Sequence, residues 1–178
     1  MAAVLIVLIL VRVTLAHTLA HDDGITLLGV TCNEGRYALH IPAQRWVSAQ
    51  AWQDYWSLQN VGCFRQIRAD LANYDIHPPL YFWLLHIWLS IFGTSIPAAL
   101  MFNTVIVAMT AAVLFAVCRI LGGPVALSSV VIMTWSLTMA TRASTVAIRQ
   151  YALLGLFAAV LLLLTTLWAT RQKSAYLA

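Results

Sequence analysis

Charged residues are scarce in this sequence: they make up 9% of its 178 residues, whereas 62% are hydrophobic. A soluble domain carries about 25% charged and roughly 45–50% apolar residues. A water-soluble core of this length cannot hide so much apolar surface, so the composition predicts an integral membrane protein. Although the net charge is +4, the basic residues form no cluster or stripe, which argues against a nucleic-acid-binding surface.

Cysteine is also rare, and Cys32, Cys63 and Cys118 form no CxxC pair. This spacing gives no support to a zinc site or a thioredoxin-like site. Cys118 lies in an apolar run, as expected of a small buried hydrophobic residue. Cys32 and Cys63 share a polar segment, where an oxidising compartment would allow a disulfide. The sequence leaves that pairing open, because it does not give the distance between them.

Four apolar runs have the length of about 20 residues that crosses the hydrocarbon core of a membrane. They are residues 2–20, 98–118, 124–141 and 151–170. The run 80–92 is too short, and we expect an interfacial or re-entrant helix that begins at Pro78-Pro79 and stops at Gly93. The predicted fold is an all-α polytopic transmembrane helix bundle of about four spans. It forms a single membrane domain over 1–178, with the first span at 1–20, an outer loop at 21–97 and three further spans in 98–178.

Basic residues set the predicted orientation of these spans. Arg119 ends the second span, and Arg171 and Lys173 follow the fourth. If these residues are cytoplasmic, the N-terminus is inside and the loop is outside, in a multi-pass protein of the plasma (inner) membrane. Two arginines between the third and fourth spans oppose this orientation. Counting 80–92 as a span would reverse it, which the positive-inside rule disfavours.

Acidic residues are absent from every predicted span. All six lie in the outer loop, at Asp22, Asp23, Glu34, Asp54, Asp70 and Asp75. The loop segment 43–60 lacks Gly and Pro and is predicted to be helical, so that Trp52, Tyr55 and Trp56 share one face by their i, i+3, i+4 spacing. Such a helix is typical of one that lies at headgroup level. The alternative is that its aromatic residues also line an acceptor groove.

Two adjacent carboxylates, Asp22 and Asp23, follow the first span directly. One interpretation makes them a helix cap for residues 24–30. The other makes one of them a general base for an acceptor hydroxyl, and Asp23 is preferred because a cap role for Asp22 competes. His21 is a candidate ligand for a divalent cation, although no spacing requires a metal and no cofactor is specified.

Two further motifs carry residues suited to binding a substrate. Asp75 and His77 precede a pair of prolines, which predicts either a rigid entry into a helix or a corner that presents both side chains to the pocket of the acidic pair. Arg149 and Tyr151 open the fourth span. Arg149 either extends its charge to the membrane interface or binds a phosphate, for which a guanidinium is well suited.

These motifs resemble the N-terminal part of the polytopic GT-C glycosyltransferases, close to family 39 and the bacterial dolichyl-phosphate-mannose-protein mannosyltransferase-like group. The resemblance rests on Asp22-Asp23 after the first span, on Asp75 to Tyr81 continuing to Phe92-Gly93, and on Ala147 to Leu154. Ala147 stands where the family often has Glu, and an arginine that often precedes the second span is missing. Family members are several times longer than this chain.

The resemblance implies a membrane enzyme that transfers a sugar from a polyprenyl-phosphate donor to an acceptor hydroxyl or amine at the outer face, with inversion. A carboxylate of the first loop acts as base and cationic groups steady the leaving phosphate. We therefore predict Asp22 or Asp23 as catalytic, and Asp75, His77, Arg149 and Tyr151 as substrate-binding. The alternatives are a non-catalytic membrane subunit, or a truncated transferase that is inactive or works with a separately encoded remainder. Transport is disfavoured, because the spans 98–118 and 151–170 hold no charged residue before their ends.

Overall fold

The computed structural model describes residues 7, 8, 10, 19–41, 45–58 and 60–176, with side chains as far as 172. These described residues form helices and turns and contain no strand, which confirms the all-α class. The predicted span 2–20 lies almost wholly outside them. The chain divides into two compact units: a loop unit of residues 18–102 with 147–150, and a span unit of 1–17, 103–146 and 151–178. The predicted single domain over 1–178 stays a prediction.

The loop unit contains five helices and one 3-10 turn among the described residues. They are α1 (His21–Val30), α2 (Glu34–His40), α3 (Ala49–Gln53) with the 3-10 turn Asp54–Trp56, α4 (Phe64–Tyr74) and α5 (Pro79–Phe92). Helix α1 packs against α2, α4 and α5. Their facing sides bury the apolar core of the unit, formed by Leu27, Val30, Ile67, Leu71, Tyr81, Phe82, Leu85 and Leu89.

Helix α5 begins and ends where the sequence predicts. Pro79 occupies its first turn, where the missing N–H costs nothing. Gly93 ends it at φ +86°, a conformation that glycine adopts without steric cost, and donates its N–H to the Leu89 carbonyl at 2.9 Å. The 14 residues of α5 extend about 21 Å, too little to cross a hydrocarbon core of about 30 Å. Its location at the interface stays a prediction.

The predicted helix over 43–60 is wrong in its length. Only Ala49–Gln53 and the turn Asp54–Trp56 are helical, and residues 42–44 and 59 lie outside the described residues. Ser48 begins the helix by accepting the Ala51 N–H on its Oγ at 3.3 Å, an N-cap that composition alone does not reveal. Ser57 then turns extended, with ψ 142°.

A disulfide joins Cys32, just after α1, to Cys63, just before α4. This is the pairing that the sequence left open. The Cα atoms are 6.4 Å apart, within the usual range. Buried His86 of α5 lies beside it, with Nδ1 2.7 Å from the Val30 carbonyl and Nε2 2.9 Å from the Val61 carbonyl. Disulfides are typical of protein segments that face an oxidising compartment.

The span unit contains most of the long apolar helices. Helix α6 (Ile96–Ile120), which starts in the loop unit, and helix α9 (Tyr151–Tyr176) are long and apolar enough to cross a membrane. They confirm the predicted runs 98–118 and 151–170. Helix α6 ends at Ile120. Gly122 follows at φ +85°, and Gly123 donates its N–H to the Cys118 carbonyl at 3.0 Å, as in a glycine C-cap.

The predicted run 124–141 is not one straight helix. It forms α7 (Val125–Ser136) and α8 (Met139–Val146), which meet at a bend of 63°. Two hydroxyl groups at the bend donate hydrogen bonds to one backbone carbonyl, that of Trp135. Thr138 Oγ1 donates to it at 2.8 Å, and Thr141 Oγ1 donates to the same oxygen at 3.0 Å. Such competition bends helices, and hydropathy does not register it. The described residues thus hold two continuous candidate spans, or three if the bent pair is one.

Candidate active site

Asp23 is a buried anchor of helix α1. Its side chain is only 3% exposed, and its two oxygens accept backbone N–H groups, Oδ2 from Ala20 at 3.0 Å and Oδ1 from Ile148 at 2.8 Å. The helix begins at His21, so Asp23 satisfies a donor at its N-terminus. The acidic pair does cap a helix, although that helix begins at His21 rather than at residue 24. Asp23 provides the cap, and the cap role considered for Asp22 is not seen.

Asp22 is the accessible member of the acidic pair, with a side chain that is 64% exposed. Its Oδ2 lies 3.6 Å from Arg149 Nη2, and its Oδ1 lies 3.7 Å from His21 Nδ1. Both distances are those of ion pairs rather than hydrogen bonds. A carboxylate placed in this way can receive a proton from a bound molecule without giving up a backbone contact.

Arg149 is held by several groups that converge on its guanidinium. Nη1 donates to the Asp22 carbonyl at 3.3 Å and to Thr26 Oγ1 at 3.4 Å, while Nη2 lies 3.0 Å from His77 Nε2. The side chain is 13% exposed. The neighbouring Ile148 is fully buried, which fixes the backbone from which Arg149 extends. A guanidinium held in this way is preorganised for an anion.

Asp75 and His77 complete the cluster. Asp75 Oδ1 accepts the Ile76 N–H at 2.8 Å and lies 3.5 Å from His77 Nδ1. Because a guanidinium can only donate, Nε2 of the ring accepts from Arg149, and Nδ1 lies on the Asp75 side of the ring. Asp75, His77, Arg149 and Asp22 therefore follow one another in a connected line, although the sequence separates the outer members by more than fifty residues. The structure thus brings together four of the six residues named as catalytic or substrate-binding.

Tyr151 belongs to the span unit. It is 57% exposed and lines a cavity of about 180 Å³ whose other polar residues are Thr110, Thr141 and Ser144. Its role in binding a substrate stays a prediction.

A family comparison bears on this arrangement. The family model described as dolichyl-phosphate-mannose-protein mannosyltransferase matches residues 76–178, which is more than half of the chain. The chain belongs to this family. The matched region includes His77 and Arg149 and starts after Asp22, so the acidic pair lies outside it. No curated protein matches the chain, and no solved structure matches it. Membership identifies a membrane glycosyltransferase family and leaves donor and acceptor to be proposed.

Sequence reasoning missed two buried acids of this family member, Glu34 and Asp70. Glu34 is 6% exposed and its Oε2 has no hydrogen-bond partner. Asp70 accepts the Gln66 amide on Oδ1 at 2.7 Å, and its Oδ2 has none. Burial, and then the negative charges of Asp75 and Asp70, raise the pKa of Glu34 to about 7. Near the Asp75 end of the cluster, Glu34 therefore binds a proton more tightly than an ordinary glutamate does.

Gly29 is a sequence signal of this burial that the sequence analysis did not use. A Cβ there would lie 3.1 Å from Glu34 Oε2 and 3.4 Å from the Phe82 ring. A glycine inside an apolar helix marks such a close approach.

Among the described residues, three potential metal ligands come within 4.8 Å of one another only at Cys32, Cys63 and His86. There the two sulfurs are already joined in the disulfide, so they are not available as thiolates. The suggestion that His21 contributes to a divalent-cation site stays a prediction.

Proposed function

We propose that the chain catalyses, by itself or as the N-terminal part of a longer enzyme, the transfer of a sugar from a polyprenyl-phosphate donor to an acceptor at the outer face of the plasma membrane. The acceptor oxygen or nitrogen attacks the anomeric carbon, the bond from that carbon to the phosphate oxygen breaks, and polyprenyl phosphate leaves with both bonding electrons. The anomeric configuration inverts. The proton of the acceptor passes to a carboxylate.

Asp22 is that carboxylate in our proposal. One observation carries the proposal. The accessible carboxylate of Asp22 lies 3.6 Å from the guanidinium of Arg149, which also contacts His77. A transferase with a phosphate leaving group needs a base and a cation side by side, because the acceptor gives its proton to the base while negative charge develops on the leaving phosphate. Asp23 serves as the anchor that fixes both, through Ala20 and Ile148.

Arg149 and His77 stabilise the leaving phosphate. Arg149 supplies the positive charge, and the His77 ring, oriented by Asp75 at 3.5 Å, positions the guanidinium. Substrate must compete with the Asp22 carboxylate for Arg149, so binding of the donor phosphate would release Asp22 toward the acceptor. Tyr151 is a further substrate contact in this proposal.

Two observations support the proposed topology, the first on the number of crossings and the second on the side that the loop unit faces. The Asp23–Ile148 hydrogen bond requires residues 147–150 to lie on the same side of the membrane as α1. Between them the chain crosses with α6 and returns with α7 and α8, whereas a third crossing by α5 would put Arg149 on the opposite side. The disulfide, in turn, forms in an oxidising compartment.

Single substitutions in the chain, in its full natural length, test the proposal. Asp22→Asn is expected to lose roughly 10²–10⁴-fold in turnover with donor binding kept, because a positioned base contributes about that factor. Arg149→Ala is expected to weaken donor binding. The matched control is Asp54→Asn, since Asp54 is an exposed loop carboxylate outside the cluster and its removal should leave turnover unchanged.

Full turnover by Asp22→Asn in a verified transfer assay would show that the base is wrongly assigned. Asp23→Asn separates anchor from base: as an anchor, its loss lowers the melting temperature as well as the activity. If these 178 residues are inactive alone while a longer form works, the site survives and the alternative of a truncated transferase applies to the isolated chain.

A further inference from the structure

We propose that a cavity in the loop unit binds a pyranose ring of the acceptor. This inference rests on the proposed function and names the chemical class of its acceptor. The cavity has a volume of about 390 Å³, within the range of roughly 300–1,000 Å³ typical of ligand pockets. One side is aromatic and the other is formed by the start of α1. Its lining residues are Leu19, Ala20, His21, Gly24, Ile25, Leu28, Tyr37, Trp52, Tyr55 and Trp56.

The aromatic wall is rigid before any ligand arrives. Buried Tyr55 donates its hydroxyl to the His40 carbonyl at 3.0 Å. The Tyr37 ring packs edge-on against it at 5.6 Å, the Trp52 ring lies 6.1 Å away, and the Arg36 guanidinium lies 4.6 Å from the Tyr55 ring centre. A wall fixed in this way loses little conformational entropy on binding.

The chemistry of the wall suits a sugar ring. The faces of aromatic rings carry partial negative charge, which attracts the C–H groups of a pyranose that its neighbouring hydroxyls polarise. Trp52 is 39% exposed and Trp56 is 38% exposed, so part of each indole is open to a ligand. The hydroxyls on the ring edge then face away from the indoles, toward solvent and the first turn of α1.

The cavity also lies where an acceptor must lie. His21 lines it, and His21 Nδ1 is 3.7 Å from Asp22 Oδ1. A ring in the cavity therefore presents its hydroxyls next to the residue that we propose as base. Nucleophile and base have to come within hydrogen-bond distance in the reacting complex, and the lining residue His21 is the one that connects the cavity to Asp22.

Two other occupants are distinguished by the test below. An extended peptide can also dock in an aromatic-lined groove, so an acceptor peptide is one of the ligands compared there. A polyprenyl chain gains nothing from leaving lipid for an apolar cavity, because lipid tails are as apolar as leucine. The fixed aromatic wall favours a rigid ring over either of these chains.

Binding of methyl α-mannopyranoside to the full-length protein in lipid nanodiscs tests the proposal, with saturation-transfer NMR as the measurement. Trp52→Ala and Trp56→Ala are each expected to weaken binding about tenfold or more, as loss of a stacking ring does. Trp46→Ala is the matched control, because Trp46 is fully exposed and does not line the cavity. It should bind the glycoside like the wild type.

Three results would overturn the inference. The first two are a wild type that shows no saturable binding of the glycoside, and cavity variants that both bind it unchanged. The third is that the cavity variants lose affinity for farnesyl phosphate or for an acceptor peptide while they still bind the glycoside. Asp22→Asn separates the two proposals, since it should abolish turnover while glycoside binding persists. In the transfer assay the Trp52 and Trp56 variants should raise the KM for the acceptor and leave the KM for the donor alone. Transfer with an unchanged acceptor KM refutes the cavity and spares the proposed function.

Discussion

Replacing Glu34 by glutamine should change how the stability of the chain depends on pH. Burial and the charges of Asp75 and Asp70 raise the pKa of Glu34 from 4.5 to about 7, so the folded state binds this proton more tightly than the unfolded state does. The stabilisation from the proton is complete below pH 4.5 and is lost as the pH rises toward 7. Glutamine has nearly the same shape, stays neutral, and does not titrate.

The size of the effect follows from the shift. Each pKa unit corresponds to about 1.4 kcal/mol, so the free energy of unfolding of the wild type should fall by about 3 kcal/mol relative to Glu34→Gln between pH 4.5 and 7.5. For a chain of this length that difference corresponds to a melting temperature about 6–12 °C higher for the variant at pH 7.5. Near pH 4.5 the two proteins should melt at nearly the same temperature.

Thermal unfolding of the purified protein in one detergent, at half-unit steps from pH 4.5 to 8, measures this difference. Asp54→Asn provides the control, because removing an exposed carboxylate should give a curve parallel to that of the wild type. Asp70→Asn should move the transition of Glu34 to lower pH by removing one of its two negative neighbours. If the difference in melting temperature between Glu34→Gln and the wild type stays constant across this range, the pKa of Glu34 is not raised by its burial as described above.

Three further predictions follow from the packing of the loop unit and its position. Gly29→Ala should destabilise the fold by about 1–3 kcal/mol, because its Cβ would press on Glu34 and Phe82, whereas Gly24→Ala, with no atom within 4 Å, should be neutral or stabilising; equal melting temperatures would contradict this. Opening the disulfide by Cys63→Ala should cost about 4 kcal/mol for its separation of 31 residues, with Cys118→Ala as control, and a wild-type melting temperature that dithiothreitol leaves unchanged would argue otherwise. Cysteines introduced at Ser57 and Ser174, after removal of the native cysteines, should react with an impermeant thiol reagent from opposite sides of the membrane; labelling from one side would refute the orientation.

Local signals explain which elements the sequence predicts well. The bounds of α5 depend on Pro79 and Gly93, whose backbone preferences act within one turn. The length of the helix after Ser48 is missed because no glycine or proline marks its end, and the bend near Thr138 is missed because hydroxyl competition is invisible to hydropathy. In each case the outcome depends on which group satisfies one backbone carbonyl or N–H.

The same distinction between local signals and distant contacts applies to the candidate site. The family resemblance predicts the acidic pair, His77 and Arg149 as members of one site, with Asp23 preferred over Asp22 as the base. The division of labour between Asp22 and Asp23 depends on a hydrogen bond to Ile148, 125 residues away, which no local pattern contains. Burial of Glu34 likewise depends on the packing of α1, α4 and α5.

That hydrogen bond has a consequence for biosynthesis. Helix α1 emerges early from the ribosome, but the N–H group that completes its anchor belongs to a residue made after α6, α7 and α8. Until those helices have been made, Asp23 Oδ1 lacks the Ile148 N–H and Asp22 lacks the Arg149 guanidinium. The disulfide, in contrast, joins two residues that both lie within the first 63, so it can link α1 to α4 before the late segment exists. The contacts of the acidic pair are therefore completed late in synthesis, whereas the covalent link of the loop unit can form early.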